Sequence, residues 1–228
     1  MLTNKNTGKL SLESIVSGGS NSYVAIYTDC ATPSQKVAVK LSRTNARTIP
    51  RSTINPQYVA FAVVACDGWV LLMEKAMHTA NDRIENVVTF TEFLVTIYRE
   101  AVTKGVSLSD LKPSNIGFFE LPAPQNNEVG EWRLLDHDML TDPDDSGAIS
   151  SFGPPPDEFG NDESWIAQTR WATLVTAAWP LMSCQQRIAV TAGNLDDRYA
   201  TAVTAVSQNM TVHNLLTSVG IIELGLTT

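Results

Sequence analysis

Nine residues, Ser107-Leu108-Ser109-Asp110-Leu111-Lys112-Pro113-Ser114-Asn115, constrain this chain more than any other stretch. They lie between a helix-forming segment and a strand-forming one. Upstream, residues 89–104 predict a helix, because Phe90, Phe93, Leu94, Ile97, Tyr98 and Ala101 recur at helical spacing and make one apolar face. Thr89 and Glu92 read as a capping-box pair, and Gly105 as the stop. Downstream, residues 116–119 and 132–135 predict a hairpin. Its connection, residues 120–131, holds prolines, asparagines and a glycine and reads as a long surface insertion. One tight loop after a long helix therefore carries a carboxylate, an ammonium and a carboxamide.

The chain ahead of that helix reads as strands. Residues 23–28 and 36–41 are short and rich in β-branched residues, with a turn at Pro33 and Ser34. Residues 58–65 and 69–74 form a second hairpin around Asp67-Gly68, a strong turn signal. Four or five antiparallel strands are expected here. The chain behind the loop is acidic from Asp138 to Glu163 and punctuated by Gly147, Gly153 and Pro154-Pro155-Pro156. After it come helices at 165–182, 184–192, 198–207 and 211–219, the first strongly apolar and ended by Pro180 and Ser183.

Composition narrows the function classes. With 228 residues the chain suffices for one large or two small packed units, and 43% hydrophobic residues support a real core. A net charge of -8 argues against nonspecific nucleic-acid binding, which wants clustered positive charge. Cys30, Cys66 and Cys184 are widely spaced and odd in number, so neither a disulfide framework nor a metal-ligand spacing is read. A reduced, intracellular setting fits best. The first residues lack the apolar core of a signal peptide, and no apolar run approaches a membrane span. No membrane association is expected.

The run Asp110-Leu-Lys112-Pro-Ser-Asn115 resembles the catalytic loop of protein kinases, in which an Asp precedes an Asn by five positions. Other parts recur in family order. Val37-Ala38-Val39-Lys40 is similar to the strand bearing the phosphate-binding lysine. Leu134-Leu135-Asp136-His137-Asp138 stands where D-F-G is found. Residues 17–24 resemble the glycine-rich loop, with Gly19 and Val24 matching strictly and Gly18 beside them. The resemblance runs from about Leu10 to about Met182. It implies an α+β, two-lobed kinase-like fold: an antiparallel β small lobe over residues 1–75, and a mostly helical, truncated large lobe over residues 76–228.

The resemblance also implies roles. Asp110 orients the attacking hydroxyl and accepts its proton, and Lys112 neutralises charge on the transferred phosphoryl. Asn115 and Asp136 hold Mg²⁺, and Lys40 holds the α/β-phosphates of ATP. Gly18, Gly19 and Val24 cover the nucleotide, while backbone groups near Glu74 and Ala76 meet the adenine edge. Lysine at the second position after the Asp suits the Ser/Thr class. The partners implied are a protein substrate or a regulatory protein. Trimmed kinases of this size are similar to those that viruses and bacterial pathogens deliver into host cells, which suits a cytoplasmic location.

Three departures qualify the likeness. No Glu occurs between Leu41 and Met73, so the helix that donates a Glu to the strand lysine is expected to be lost or reduced to a turn. Leu108-Ser109 replaces the His-Arg that precedes the Asp, removing a receiver for a phosphorylated loop. His137-Asp138 replaces Phe-Gly; His137 reads as a packing residue and Asp138 as a solvated carboxylate. Pro156-Asp157-Glu158 stands loosely for A-P-E. Arg43, Arg47 and Arg51 recur every four residues where the lost helix belongs, and read either as a solvated loop or as a stripe that docks on an acidic surface. A minimal active protein kinase is one reading. A pseudokinase acting as an ATP-binding or protein-binding regulatory module is the alternative. A small-molecule phosphotransferase is a third.

Overall fold

The structure is a computed structural model and describes residues 10–18, 22–29, 36–42, 54–65, 69–125, 128–136, 140–141, 151–160, 162–193 and 195–223. The chain is α+β and divides into two compact units, one of Met1–Thr48 with Ala60–Met77, the other of Ile49–Val59 with His78–Thr228.

The first unit is a five-stranded antiparallel sheet. Its strands are β1 (Leu10–Gly18), β2 (Ser22–Asp29), β3 (Lys36–Ser42), β4 (Phe61–Ala65) and β5 (Trp69–Glu74), in the order β1-β2-β3-β5-β4. Alternation explains the pairing: Ile26 and Ala38 are buried, lie opposite one another, and pack with Val24 on one face. Val24 stands directly across from Lys40, and Lys40 across from Leu71. The turns expected at Pro33-Ser34 and Asp67-Gly68 lie outside the described residues, as do Gly19 and Arg43, Arg47 and Arg51. The strand expected over 58–65 is shorter than its apolar run. Asn55 and Pro56 make a 3-10 turn, Pro56–Tyr58, and β4 starts only at Phe61. Asn55 accepts from the Gln57 N–H, and Pro56 supplies the preset φ of a first helical position.

The second unit is built on helices. α1 (Val87–Lys104) buries Phe90, Leu94, Ile97 and Ala101 on one face. It starts two residues earlier than its Thr89-Glu92 signal predicts, because Asn86 is the cap: its Oδ1 accepts from the N–H groups of Val88 and Thr89. It ends as expected at Gly105, whose φ of 63° is the left-handed conformation glycine adopts without strain. α2 (Ser164–Ala178) has eleven buried residues among its fifteen, which makes it a central helix rather than an amphipathic one. Pro180 ends it in a 3-10 turn, Trp179–Leu181. α3 (Cys184–Ala192), α4 (Leu195–Ser207) and α5 (Met210–Ser218) follow, α4 beginning before its predicted Arg198. α1, α2, α4 and α5 pack on one another through Trp171, Leu174, Ala202, Val206, Val212 and Leu216.

Two small sheets complete the described part of this unit. β6 (His78–Thr79), β8 (Ile116–Gln125) and β9 (Glu128–Leu134) form one antiparallel sheet in the order β6-β8-β9. The long insertion expected between β8 and β9 is thus mostly strand: β8 runs on through Pro122 and Pro124, past a register shift between Glu120 and Gln125. The shift absorbs prolines that cannot donate to a ladder. β7 (Ser107–Leu108) pairs with β10 (Leu140–Thr141). Among the described residues no helix is long and apolar enough to cross a membrane.

Candidate active site

The loop from Ser107 to Asn115 is anchored by its apolar side chains. Leu108, Leu111 and Ile116 are fully buried, and Pro113 is buried with them. Asp110, Lys112 and Asn115 are then left half-buried on the open side. Pro113 opens a 3-10 turn, Pro113–Asn115, closed by a bond from the Asn115 N–H to the Lys112 carbonyl at 2.9 Å. That turn brings the carboxamide of Asn115 back over Asp110. Its Nδ2 donates to the Asp110 carbonyl at 3.0 Å and to Asp110 Oδ2 at 3.1 Å. The Lys112 ammonium donates to both carboxylate oxygens, at 3.0 and 2.9 Å.

The second unit therefore unites Asp110, Lys112 and Asn115. Asp136 follows closely: Leu134 pairs with Ile116, and the Leu135 N–H donates to the Asn115 carbonyl at 2.8 Å. Asp136 thus leaves β9 beside the turn that carries Asn115. His137 and Asp138 lie outside the described residues. In the first unit, Lys40 is buried on β3, Gly18 closes β1 opposite Ser22, Glu74 ends β5 opposite Val37, and Ala76 lies just beyond it, half-buried.

Three groups of residues that sequence reasoning passes over hold this arrangement. The Ser151 hydroxyl donates to Asp110 Oδ1 and accepts from the Lys112 ammonium at 3.1 Å. With Lys112 and Asn115 it fills all four lone-pair positions of the carboxylate. Thr169 and Thr176 are the second group. Thr169 accepts from the Leu108 N–H at 3.1 Å, and Thr176 donates to the Leu111 carbonyl at 3.1 Å. A spacing of seven puts both hydroxyls on one face of α2. No local pattern marks these two hydroxyls out in a helix that also carries Gln168, Arg170 and Thr173. Third, Trp171 of α2 donates to the Phe152 carbonyl, tying the segment behind Ser151 to the same helix.

The segment at Pro156-Asp157-Glu158 enters a 3-10 turn, Asp157–Phe159, with Glu158 exposed. An ion pair of Arg170 with Asp162 at 2.5 Å anchors this segment, and the Arg170 guanidinium also lies over the Phe159 ring. Arg198 is buried, donates to the Pro154 carbonyl and lies over the Trp171 ring. Desolvation on burial makes its charged form less favourable than in water.

Chemically, the site offers one carboxylate oriented by two neighbours and a second carboxylate nearby. Asn115 uses its amide nitrogen on Asp110, so its amide oxygen keeps lone pairs for a cation. A carboxamide and a carboxylate are hard oxygen donors that suit Mg²⁺ shared with phosphates. Among the described residues no group of three or more His, Cys, Asp or Glu forms an all-protein metal cage.

No family model matches this chain. No curated protein matches it by sequence. Solved structures do: the crystal structure of the BubR1 kinase domain superposes with a TM-score of 0.56 over 94% of this chain and 85% of that one, at 11% identity. The fold is kinase-like. At that identity the likeness speaks for the fold alone. The kinase-like fold nonetheless places a loop of the D-L-K-P-S-N pattern after its long helix, as the sequence led one to expect.

Proposed function

We propose that this protein is a minimal protein kinase that transfers the γ-phosphate of ATP to Ser/Thr hydroxyls of a protein substrate. The observation that carries the reading is the Asp110 carboxylate, already accepting a serine hydroxyl from Ser151 while Lys112 and Asn115 hold it in place. A carboxylate at hydrogen-bond reach of a hydroxyl is the geometry a general base requires. An acceptor hydroxyl enters by taking the lone pair that Ser151 occupies, since Lys112 and Asn115 belong to the same loop as Asp110 and do not leave it. Lys112 then stands where it can neutralise charge on the transferred group. Asn115 and Asp136 supply the oxygen donors for Mg²⁺, and Lys40 the charge for the α/β-phosphates. Bound Mg²⁺ supplies neutralisation of the phosphate charge.

One observation favours a second reading. The kinase pattern draws a Glu from between β3 and β5, and this sequence offers none there; a change of positioning residue costs ~10²-fold in rate or more. A protein so weakened acts as an ATP-binding or protein-binding regulatory module. A radiolabelled-ATP assay on a generic basic protein, with and without Mg²⁺, separates the two. Label in the protein supports the kinase. A Mg-dependent rise in melting temperature with ATP but no label leaves the regulatory module. No melting shift and no label overturns both.

A further inference from the structure

Away from Asp110, the second unit carries a half-open cavity of about 560 Å³ that the kinase reading does not use. None of Asp110, Lys112, Asn115 and Asp136 lines it. Its floor is aromatic. His78 and Phe118 stack with ring centroids 5.3 Å apart and planes at 17°, and Trp132 meets Phe118 edge-on at 4.9 Å. Tyr58 and Phe93 form a second pair across 6.4 Å. The backbone is cut to fit: a Cβ at Gly130 would lie 2.6 Å from two carbons of the Phe118 ring. The ring occupies the space that any other residue would fill.

The charge of this cavity has one sign. Glu85, Glu92 and Glu131 line it, and no Lys or Arg does. Glu85 pairs with Arg83 at 2.7 Å, and Glu131 accepts from Arg133 Nε at 2.7 Å. Glu92 is exposed on α1, and no ion pair to it is present among the described residues. An anion finds no donors at the adjoining helix start, because Asn86 Oδ1 already accepts from Val88 and Thr89. Aromatic faces beside carboxylates suit a planar cation, which stacks on a ring and forks its N–H groups onto a carboxylate.

We propose that this cavity docks an arginine-bearing segment of a partner protein, with a guanidinium seated against the His78–Phe118 stack and paired to Glu92. The volume exceeds that of one guanidinium, so the occupant is a short peptide stretch. A second copy of this chain is disfavoured by its net charge of -8.

The test is a calorimetric titration of the full chain, without nucleotide, with an acetylated and amidated tetra-arginine peptide at low ionic strength. Tetra-lysine and tetra-glutamate peptides run in parallel. The expected result is saturable one-to-one binding of tetra-arginine, weaker binding of tetra-lysine and none of tetra-glutamate. Glu92→Lys should weaken tetra-arginine binding by about tenfold or more. Asp197→Lys makes the same charge change at an exposed site on α4 and should leave affinity within about twofold, since separated surface charges are screened. Glu92→Gln, which keeps the side-chain shape, should fall between. Equal losses in the two Lys variants, equal binding of tetra-lysine, or no saturable binding would each overturn the proposal. Because no nucleotide is present, the outcome does not depend on phosphoryl transfer.

Discussion

In the proposed kinase Asp110 is the general base, and its substitution gives the sharpest prediction. Asp110→Asn keeps the shape and the contact with Ser151 but removes the base. Phosphoryl transfer should fall by ~10²–10⁴-fold, the usual contribution of a positioned general base. Nucleotide affinity should stay near that of the parent, since the proposal assigns the nucleotide to Lys40, Asn115 and Asp136. Initial rates and equilibrium binding of ATP, measured on one preparation, decide it; a variant with parental turnover removes Asp110 from the role. A second residue-scale test concerns two glycines. Gly105 and Gly153 both have positive φ, 63° and 75°. A Cβ at Gly105 meets nothing within 4 Å, whereas one at Gly153 lies 2.9 Å from Arg198 Nη1. Gly105→Ala should cost ~1–2 kcal/mol from backbone strain alone. Gly153→Ala should cost more, because the guanidinium over Trp171 must shift as well. Urea denaturation of the two variants should rank them in that order.

At the scale of elements, α2 acts as the splint of the site. Thr176 reaches across to the Leu111 carbonyl, so Thr176→Val leaves that buried acceptor unpaired at a cost of ~1–3 kcal/mol. Thr173 bonds only to the Thr169 carbonyl of its own helix. Thr173→Val should therefore destabilise less, and should leave transfer activity closer to the parent than Thr176→Val does. Similar losses from both would mean that α2 contributes packing but not positioning. The turn after β6 gives a pH prediction. The Thr79 hydroxyl at 2.7 Å, and then the Thr79 N–H at 3.0 Å, hold the Asp82 carboxylate below its ordinary pKa. A depressed carboxylate stabilises the fold above its unfolded pKa of about 3.9, and that contribution is lost as pH falls through the folded value. Asp82→Ala should therefore lose stability at neutral pH and lose less than the parent on acidification. Denaturation midpoints at neutral pH and below about pH 3.9 measure the difference; parallel acid limbs would refute it.

For the whole molecule the informative variable is ligand linkage. If the protein binds Mg·ATP as proposed, free ligand at ~100 Kd should stabilise the folded chain by about 2.7 kcal/mol, visible as a raised melting temperature. Asp136→Asn should erase the Mg²⁺-dependent part of that shift, measured against the variant's own ligand-free melting point. A shift that ignores both Mg²⁺ and Asp136 would place the nucleotide elsewhere. Within the first unit Lys40 is buried on the sheet; within the second, the loop, the turn at Asn115 and α2 are joined by hydrogen bonds.

The sequence alone determined that the Asp110–Asn115 loop follows a long helix, four of the five strands of the first unit and most helices. These features are set by short-range spacing: Asp to Asn five apart, β-branched alternation in Val37-Ala38-Val39-Lys40, and an apolar face every three or four residues. It misplaced the start of α1, since Thr89 with Glu92 and Asn86 are both lawful caps, and it is the Asn86 side chain that accepts from the first N–H groups. It misread residues 120–131, because pairing with β9 and a register shift accommodate prolines that local propensity reads as a loop. Ser151, Thr169 and Thr176 were invisible for a different reason. Each acts on a group 41, 61 or 65 positions away, and no local pattern specifies such a partner. The aromatic cavity belongs to the same class: Tyr58, His78, Phe93, Phe118 and Trp132 come from separate elements, and only tertiary folding gathers their rings, because burial of apolar area is non-directional and ignores order in the chain.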